Sequence, residues 1–363
     1  MATFLPLWVV SAKSIQAATY FPRVRLSRPV FRFKFRDWWH ALRVLLSPRL
    51  VGQRIEDRWL DSMPLVGTNP FDYRDVYRTR ATFDECDYNV HLSNSSYSKV
   101  LDIARCETVT RLFPLFFRCG AGMALGASHF HFIREIPAFG KFEIRTSIGS
   151  WDQKWIYLVS KFVSQSQRSK PSRVPPRQAT QRSNGTRSSH SDSDSDSGYG
   201  SSTSSTPDIS SPPSPQASPS FFYESDGSLV HTVVVTQLCF KAGRITIPPS
   251  VVLSSNGYCQ PILSKGPSVL PYHLPSASSS PRSSPSPTDY PRHWPQVKRI
   301  ASPLHGGSLK KLFTFYSGEW RNVPEREQWW ESALGGYVEV RRSAALAQLG
   351  RLKEGLESAR CLT

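Results

Sequence analysis

The run from Asn94 to Phe113 sets the strongest limit on how this chain folds. Tyr97, Leu101, Ala104, Thr108 and Leu112 recur at spacings of three and four, and Val100, Ile103 and Val109 widen that stripe. A helix this broadly apolar has to be wrapped by the rest of the fold. The segments around it supply a wrapping. VYRTRATF (76–83) precedes the helix and is β-branched and aromatic. MALGASHFHFIREI (123–136), KFEIRTSIGSW (141–151), KWIYLVSKFV (154–163) and LVHTVVVTQLCFKAGRITIPP (229–249) follow it. In the second of these, Phe142, Ile144, Thr146 and Ile148 fall on one face, and Glu143, Arg145 and Ser147 on the other. The tight Asp152-Gln153 connection predicts a hairpin with the next strand. The order predicts an α+β fold, a curled antiparallel sheet around one long central helix.

Composition limits how much more the chain can fold. Of its 363 residues, 29 are proline, concentrated with serine in the second half. The tracts 164–228 and 254–302 are poor in large apolar residues and are expected to be disordered. The predicted organisation is a basic N-terminal arm (1–70), one domain (71–253) interrupted by the first tract, the second tract as a linker, and a helical tail (303–363). The tail carries Trp329 and Trp330 and is expected to pack on the domain or on a partner.

The net charge of +17 invites a nucleic-acid reading, but about half the excess lies between Met1 and Glu56, where ten Lys or Arg face two acidic residues. No zinc-finger spacing or RNA-recognition aromatic signature accompanies it, so no nucleic-acid partner is expected. The six cysteines form no CxxC pair and read as reduced thiols of an intracellular protein. Within the arm, WWHALRVLL reads as a short amphipathic helix beside basic residues. Three readings stay open: peripheral contact with an anionic membrane, a mitochondrial transit peptide, or packing of Trp38, Trp39, Leu42, Leu45 and Leu46 on the domain. Localisation is correspondingly cytoplasmic, membrane-associated or mitochondrial.

The polar stretch FDECDYNVHLSNSSY (83–97) opens the apolar helix. A carboxylate there can act as general base or nucleophile, and the unbonded amides of a helix start can hold an oxyanion. Asp87 is the candidate for the first role, with His91 and Asn94 to orient carboxylate, water or carbonyl. Each has a plainer reading beside it: Asp87 bonded to turn amides, His91 as scaffold, Asn94 as helix cap, Tyr97 as core. Glu85, Asp87 and His91 lack a fourth ligand at familiar spacing, so neither metal nor cofactor is expected.

DECDYNVHLSNSSYSKVLDIAR resembles the signature of hotdog-fold acyl-CoA thioesterases of the 4-hydroxybenzoyl-CoA type, approximately D-x-D-x-x-G-H-V-N-N-x-x-Y. Asp87, His91, Asn94 and Tyr97 fall on its second acidic position, its His, its second Asn and its Tyr. FKAGRITIPP is similar to the last strand of the thioesterase-like branch found in fungi and animals. Glu85 stands at the first Asp, Ser93 at the first Asn, and Val90 where the family carries Gly, which predicts a changed turn and a displaced Asp87. The resemblance implies hydrolysis of acyl-CoA or another acyl thioester, with catalytic Asp87, His91 and Asn94. It implies substrate contacts at Tyr97, and at Lys241 and Arg244 for the CoA phosphates. It also implies a homodimer or higher assembly. A non-catalytic acyl-thioester-binding or membrane-associated interaction protein is the competing class, and a dehydratase dependent on His91 a lesser one.

Overall fold

The computed structural model describes residues 21–165, 223–260 and 290–359. The apolar start of the arm and the bulk of both Ser/Pro tracts, for which disorder is expected, lie outside the described residues. In chain order the main elements are α1 (Phe21–Leu46), α2 (Arg49–Asp61), β1 (Arg74–Arg80) and α3 (Asn94–Leu112). They continue with α4 (Pro114–Arg118), β2 (Gly122–Phe132), β3 (Lys141–Trp151), β4 (Ile156–Ser164), β5 (Leu229–Ala242) and β6 (Ile245–Ile247). The helices α5 (Pro249–Ser255), α6 (Trp294–Ala301), α7 (Leu309–Tyr316), α8 (Trp329–Ala333) and α9 (Tyr337–Ser358) complete the described residues.

The sheet runs β1-β3-β4-β5-β2 with every neighbour antiparallel. It curls around α3, giving the hotdog fold. The alternation in β3 works as its sequence dictates: Phe142, Ile144, Thr146 and Ile148 are all buried. Around the first half of α3, Tyr97, Val100, Leu101 and Ala104 pack with Phe142, Ile144, Phe162 and Val234. The second half joins a larger core of Phe113, Phe116, Phe240, Tyr258, Trp294 and Tyr316. The first turns of α3 keep an exposed side at Asn94, Ser95, Ser98 and Asp102; from Ile103 onward no residue of the helix is exposed. Packing of α1 against α3 accounts for that cover.

Three features differ from the sequence reading. The long final strand stops at Ala242, turns through Gly243 (φ +57°) and Arg244, and returns as β6, with Ala242 opposite Ile245. A glycine followed by arginine is a turn signal inside an otherwise β-rich run. The linker tract is ordered at both ends. Asn256 is fully buried, and its side-chain oxygen accepts the Leu115 N–H at 3.1 Å, while the Trp294 indole donates to Asp61 at 2.9 Å. Composition averaged over 254–302 hid those few large or amide side chains. The far flank of the insertion is likewise ordered by charge: Lys161 pairs with Glu224 at 2.6 Å and Arg145 with Asp226 at 2.7 Å.

The arm is two helices, longer than the single short one expected. Its inner side is latched by Arg118, a buried guanidinium 2.6 Å from Asp37 on α1 and 2.8 Å from Glu56 on α2, lying 4.1 Å over the Trp59 ring. Phe33 is buried against Phe117 on the same side. Of the residues expected to pack in the plainest reading of the arm, Leu42 is half-buried, while Trp38, Trp39, Leu45 and Leu46 are exposed, Leu45 at 79 %.

Candidate functional site

The polar stretch is a hairpin that plugs the rim of the curled sheet. Cys86 bridges Leu92, the Asp87 N–H donates to the His91 carbonyl at 2.9 Å, and the Val90 N–H donates to the Asp87 carbonyl at 3.0 Å. A turn closed in that way and followed by one left-handed residue is the pattern of a three-residue hairpin loop. The left-handed place is Val90, at φ +64°. Val90 thus holds the left-handed conformation that glycine ordinarily supplies in such a turn. A β-branched residue pays steric strain to hold it.

A second turn braces the first. Ala138 N–H donates to the Val90 carbonyl at 2.9 Å, Leu92 N–H to the Ile136 carbonyl at 2.8 Å, and Phe139 is also left-handed at φ +61°. Beneath them Glu85 is buried. Its carboxylate accepts the Thr82 N–H at 3.4 Å and lies 3.7 Å from the Lys99 ammonium, and its carbonyl accepts the Ser93 N–H at 3.0 Å. The capping-box arrangement of Thr82 and Glu85 explains a carboxylate at a position the family fills with Asp.

Asp87 is exposed. Its Oδ1 accepts the N–H groups of Asn89 (3.0 Å) and His91 (3.3 Å), as a turn aspartate does, and its Oδ2 takes no hydrogen bond from the described residues. The plainer reading of Asp87, a turn aspartate, thus describes its Oδ1. The helix cap is Ser93, whose Oγ accepts the Ser96 N–H at 3.3 Å; Asn94 is the first helical residue, which corrects its assignment as cap. The amides of Asn94 and Ser95, both exposed residues, have no protein acceptor among the described residues. His91 Nδ1 lies 3.3 Å from the Glu135 carboxylate.

Tyr97 belongs to the core. It is 2 % exposed, its ring is 5.0 Å from Phe162 and 5.3 Å from Phe132, and burial pushes its phenol up to about 12. It cannot touch a substrate without repacking. Lys241 donates to Thr246 at 2.6 Å in the β5–β6 hairpin, and Arg244 is exposed at its tip. Lys241 sits at the far end of β5 from the motif, nine residues beyond Thr232 or about 30 Å at strand rise, and Arg244 lies past it in the turn. Within one chain they do not join Asp87. Among the described residues no three metal-ligating side chains converge.

A cleft of about 1310 Å³ opens beside the hairpin, lined by His91, Arg134, Glu135, Phe139, Ser164 and His231 among others. Ser164 and His231 escaped the sequence reading. Ser164 was placed in the disordered tract, and His231 in an unbroken strand. In the structure Ser164 closes β4 opposite Leu229, and His231 is the extra residue of a bulge, since Phe162 pairs Thr232 while Val163 pairs Val230. The signal available was a lone histidine within a β-branched run. Expecting the preceding strand to continue to Ile136 concealed the bend: β2 stops at Phe132, and the amides of Ile133 and Arg134 both donate to the His231 carbonyl, at 2.8 and 2.9 Å.

A sheet curled about a buried helix, with a polar hairpin at the helix start, defines a hotdog domain. Residues 81–182 match the family model described as the thioesterase-like superfamily. The chain is 35 % identical over 109 residues to the thioesterase poxG of Penicillium oxalicum, covering 24 % of this chain and 34 % of that one. It is 36 % identical over 93 residues to the protein THEM6 of Danio rerio, covering 25 % of this chain and 46 % of that one. It therefore spans less than half the length of either relative. The solved 4-hydroxybenzoyl-CoA thioesterase of Pseudomonas sp. strain CBS-3 aligns over 50 % of this chain and 97 % of that one, at 10 % identity and a TM-score of 0.27.

Val90→Gly tests the strain. Relief of about 1–2 kcal/mol of left-handed strain opposes about 0.5–1 kcal/mol of added unfolded-state entropy. Val90 is half exposed, so little packing is lost. The urea midpoint should rise by the equivalent of about 0.5–1 kcal/mol; a lower midpoint would contradict the account.

Proposed function

We propose that this chain hydrolyses acyl thioesters, acyl-CoA among them, with Asp87 as general base or direct nucleophile. The observation carrying the reading is an exposed Asp87 whose Oδ2 takes no hydrogen bond from the described residues, in the hairpin that leads into α3, where the amides of Asn94 and Ser95 have no protein acceptor among those residues. A thioester carbonyl is poorly resonance-stabilised, so a positioned base and two oxyanion donors suffice. In the base mechanism Asp87 takes a proton from water as it attacks the carbonyl; the amides hold the oxyanion, and the C–S bond then breaks. His91, with Nδ1 3.3 Å from the Glu135 carboxylate, orients the incoming group. Asp87→Asn keeps the turn acceptor at Oδ1 and removes the base. Thiol release from an acyl-CoA panel should fall at least ~100-fold in that variant; unchanged release, or none from the wild type, would overturn the reading.

The exposed site needs a cover, and we propose a second copy of the chain. β2 is an eleven-residue edge strand with exposed Leu125 and Phe132, an open pairing template. Antiparallel pairing of two such edges about their centre would set Gly122 of one copy beside Phe132 of the other. Lys241 of the one copy, the β5 partner of its Gly122, then comes within two strand spacings, about 10 Å, of the other copy's motif end. That arrangement supports Lys241 and Arg244 as phosphate contacts across the interface. Sedimentation velocity at micromolar concentration should return a dimer for the wild type and a monomer for Leu125→Lys/Phe132→Lys; a wild-type monomer removes the proposal.

A membrane-associated reading rests on a separate observation. Phe31, Phe35, Trp38, Trp39, Leu45, Leu46 and Leu50 are exposed on α1 and α2 amid Arg32, Lys34, Arg36, Arg43 and Arg49. Among the described residues no helix is long and apolar enough to cross a membrane. An aromatic and aliphatic surface flanked by cations suits the interface of an anionic bilayer. The protein should co-sediment with phosphatidylserine-containing vesicles and much less with phosphatidylcholine alone. Trp38→Ser/Leu45→Ser/Leu46→Ser should lose that binding, and equal recovery of wild type and variant would count against the idea.

A further inference from the structure

The cleft beside the motif contains a second reactive arrangement, separate from Asp87. Ser164 Oγ is 2.8 Å from His231 Nε2, and His231 Nδ1 is 2.9 Å from the Glu135 backbone carbonyl. A carbonyl oxygen only accepts, so Nδ1 carries the proton and donates. Nε2 is then the lone-pair nitrogen and receives the serine hydroxyl. Nucleophile, base and a third group orienting the base are the parts that activate a serine. The fold holds them deliberately. His231 is 4 % exposed and sits on the bulge of β5, the kind of irregularity that re-aims a side chain. Ser164 is half-buried at the end of β4, and both residues line the cleft.

We propose that Ser164 and His231 form a nucleophile and base that accept the acyl group of an activated ester or thioester entering this cleft. Ser164 Oγ bonds to the acyl carbon as its proton passes to His231 Nε2. The tetrahedral oxyanion collapses, the bond to the leaving sulfur or oxygen breaks, and that atom takes the proton from Nε2. Water then attacks the acyl-serine ester, giving one proton to Nε2; the ester C–O bond breaks, and Ser164 regains its hydrogen. The products are a carboxylic acid and the thiol or alcohol. Burial keeps the imidazole pKa below its usual value, with the Arg134 charge acting in the same direction, so His231 rests in the neutral form that a base requires. Arg134 lines the same cleft, where a guanidinium can stabilise the oxyanion.

A fluorophosphonate reporter tests the pair on the full chain, because it phosphonylates an activated serine and leaves an ordinary one untouched. Peptide mapping should place one adduct on Ser164, absent from Ser164→Ala. The labelling rate should fall at least ~100-fold in His231→Gln. A purely structural Ser–His hydrogen bond would give no adduct. No adduct on wild-type Ser164, or wild-type labelling by a folded His231→Gln, overturns the proposal. Should His231→Gln fail to fold, a p-nitrophenyl ester burst decides: present in the wild type and lost in Ser164→Ala supports the pair, equal in both or absent from both overturns it. Thiol release dependent on Asp87 and phosphonylation of Ser164 are read separately, so either reading can fail alone.

Discussion

Burying α3 inside the curled sheet is the constraint on which the functional end of the molecule depends. A helix covered on almost every side after its first turns is open to solvent only there, so the chain must reach its start across the rim of the sheet. Backbone groups crossing a rim have no strand partner and must be satisfied locally. The Cys86–Leu92 hairpin does this with its own turn, with the carbonyls of Ile136 and Glu85, and with one oxygen of Asp87. The amides of Asn94 and Ser95 remain unsatisfied because the same burial exposes them. The candidate site is thus what remains when the packing problem has been solved.

The helix and most of the sheet were legible in the sequence because their periods are unambiguous. The stripe from Tyr97 to Leu112 and the alternation from Phe142 to Ile148 each admit one reading. The motif was legible too, down to the residue where its turn is unusual, since glycine is the ordinary occupant of a left-handed turn position. What was hidden depends on departures from period. The bulge at His231 moves one side chain out of alternation, which no periodic template registers. Ser164 and Tyr258 lay inside tracts whose composition, averaged over dozens of residues, outweighed single informative positions. The placement of Lys241 and Arg244 at the opposite end of β5 follows from topology, which strand patterns alone do not order.

Charge tells a similar story at the arm. Its excess of arginine and lysine reads from sequence as one undifferentiated basic segment. The fold divides the arm into an inner side and an outer side. On the inner side Asp37 and Glu56 meet Arg118 away from water, where removing one partner is costly because it leaves a buried charge. On the outer side the aromatic and leucine side chains stand among cations with no counterpart among the described residues. Only the acidic residues, two among ten cations up to Glu56, mark which side faces the domain, and both are used in the latch.

Glu135 joins the two candidate chemistries at the rim. Its carboxylate lies against His91 of the motif, and its backbone carbonyl orients His231. The segment carrying it leaves β2 by a sharp bend over the His231 carbonyl and then braces the motif turn through Ile136 and Ala138. A shift of that segment therefore moves both histidines together. Two left-handed residues without glycine, Val90 and Phe139, lie on the facing turns of this junction. Strain of that kind persists only where surrounding hydrogen bonds over-determine the backbone. Here they do: the Val90 carbonyl accepts from Ala138, and the Phe139 amide donates to Ala81 at 2.9 Å. The strained turns thereby set how far His91 stands from His231 across the cleft that both residues line.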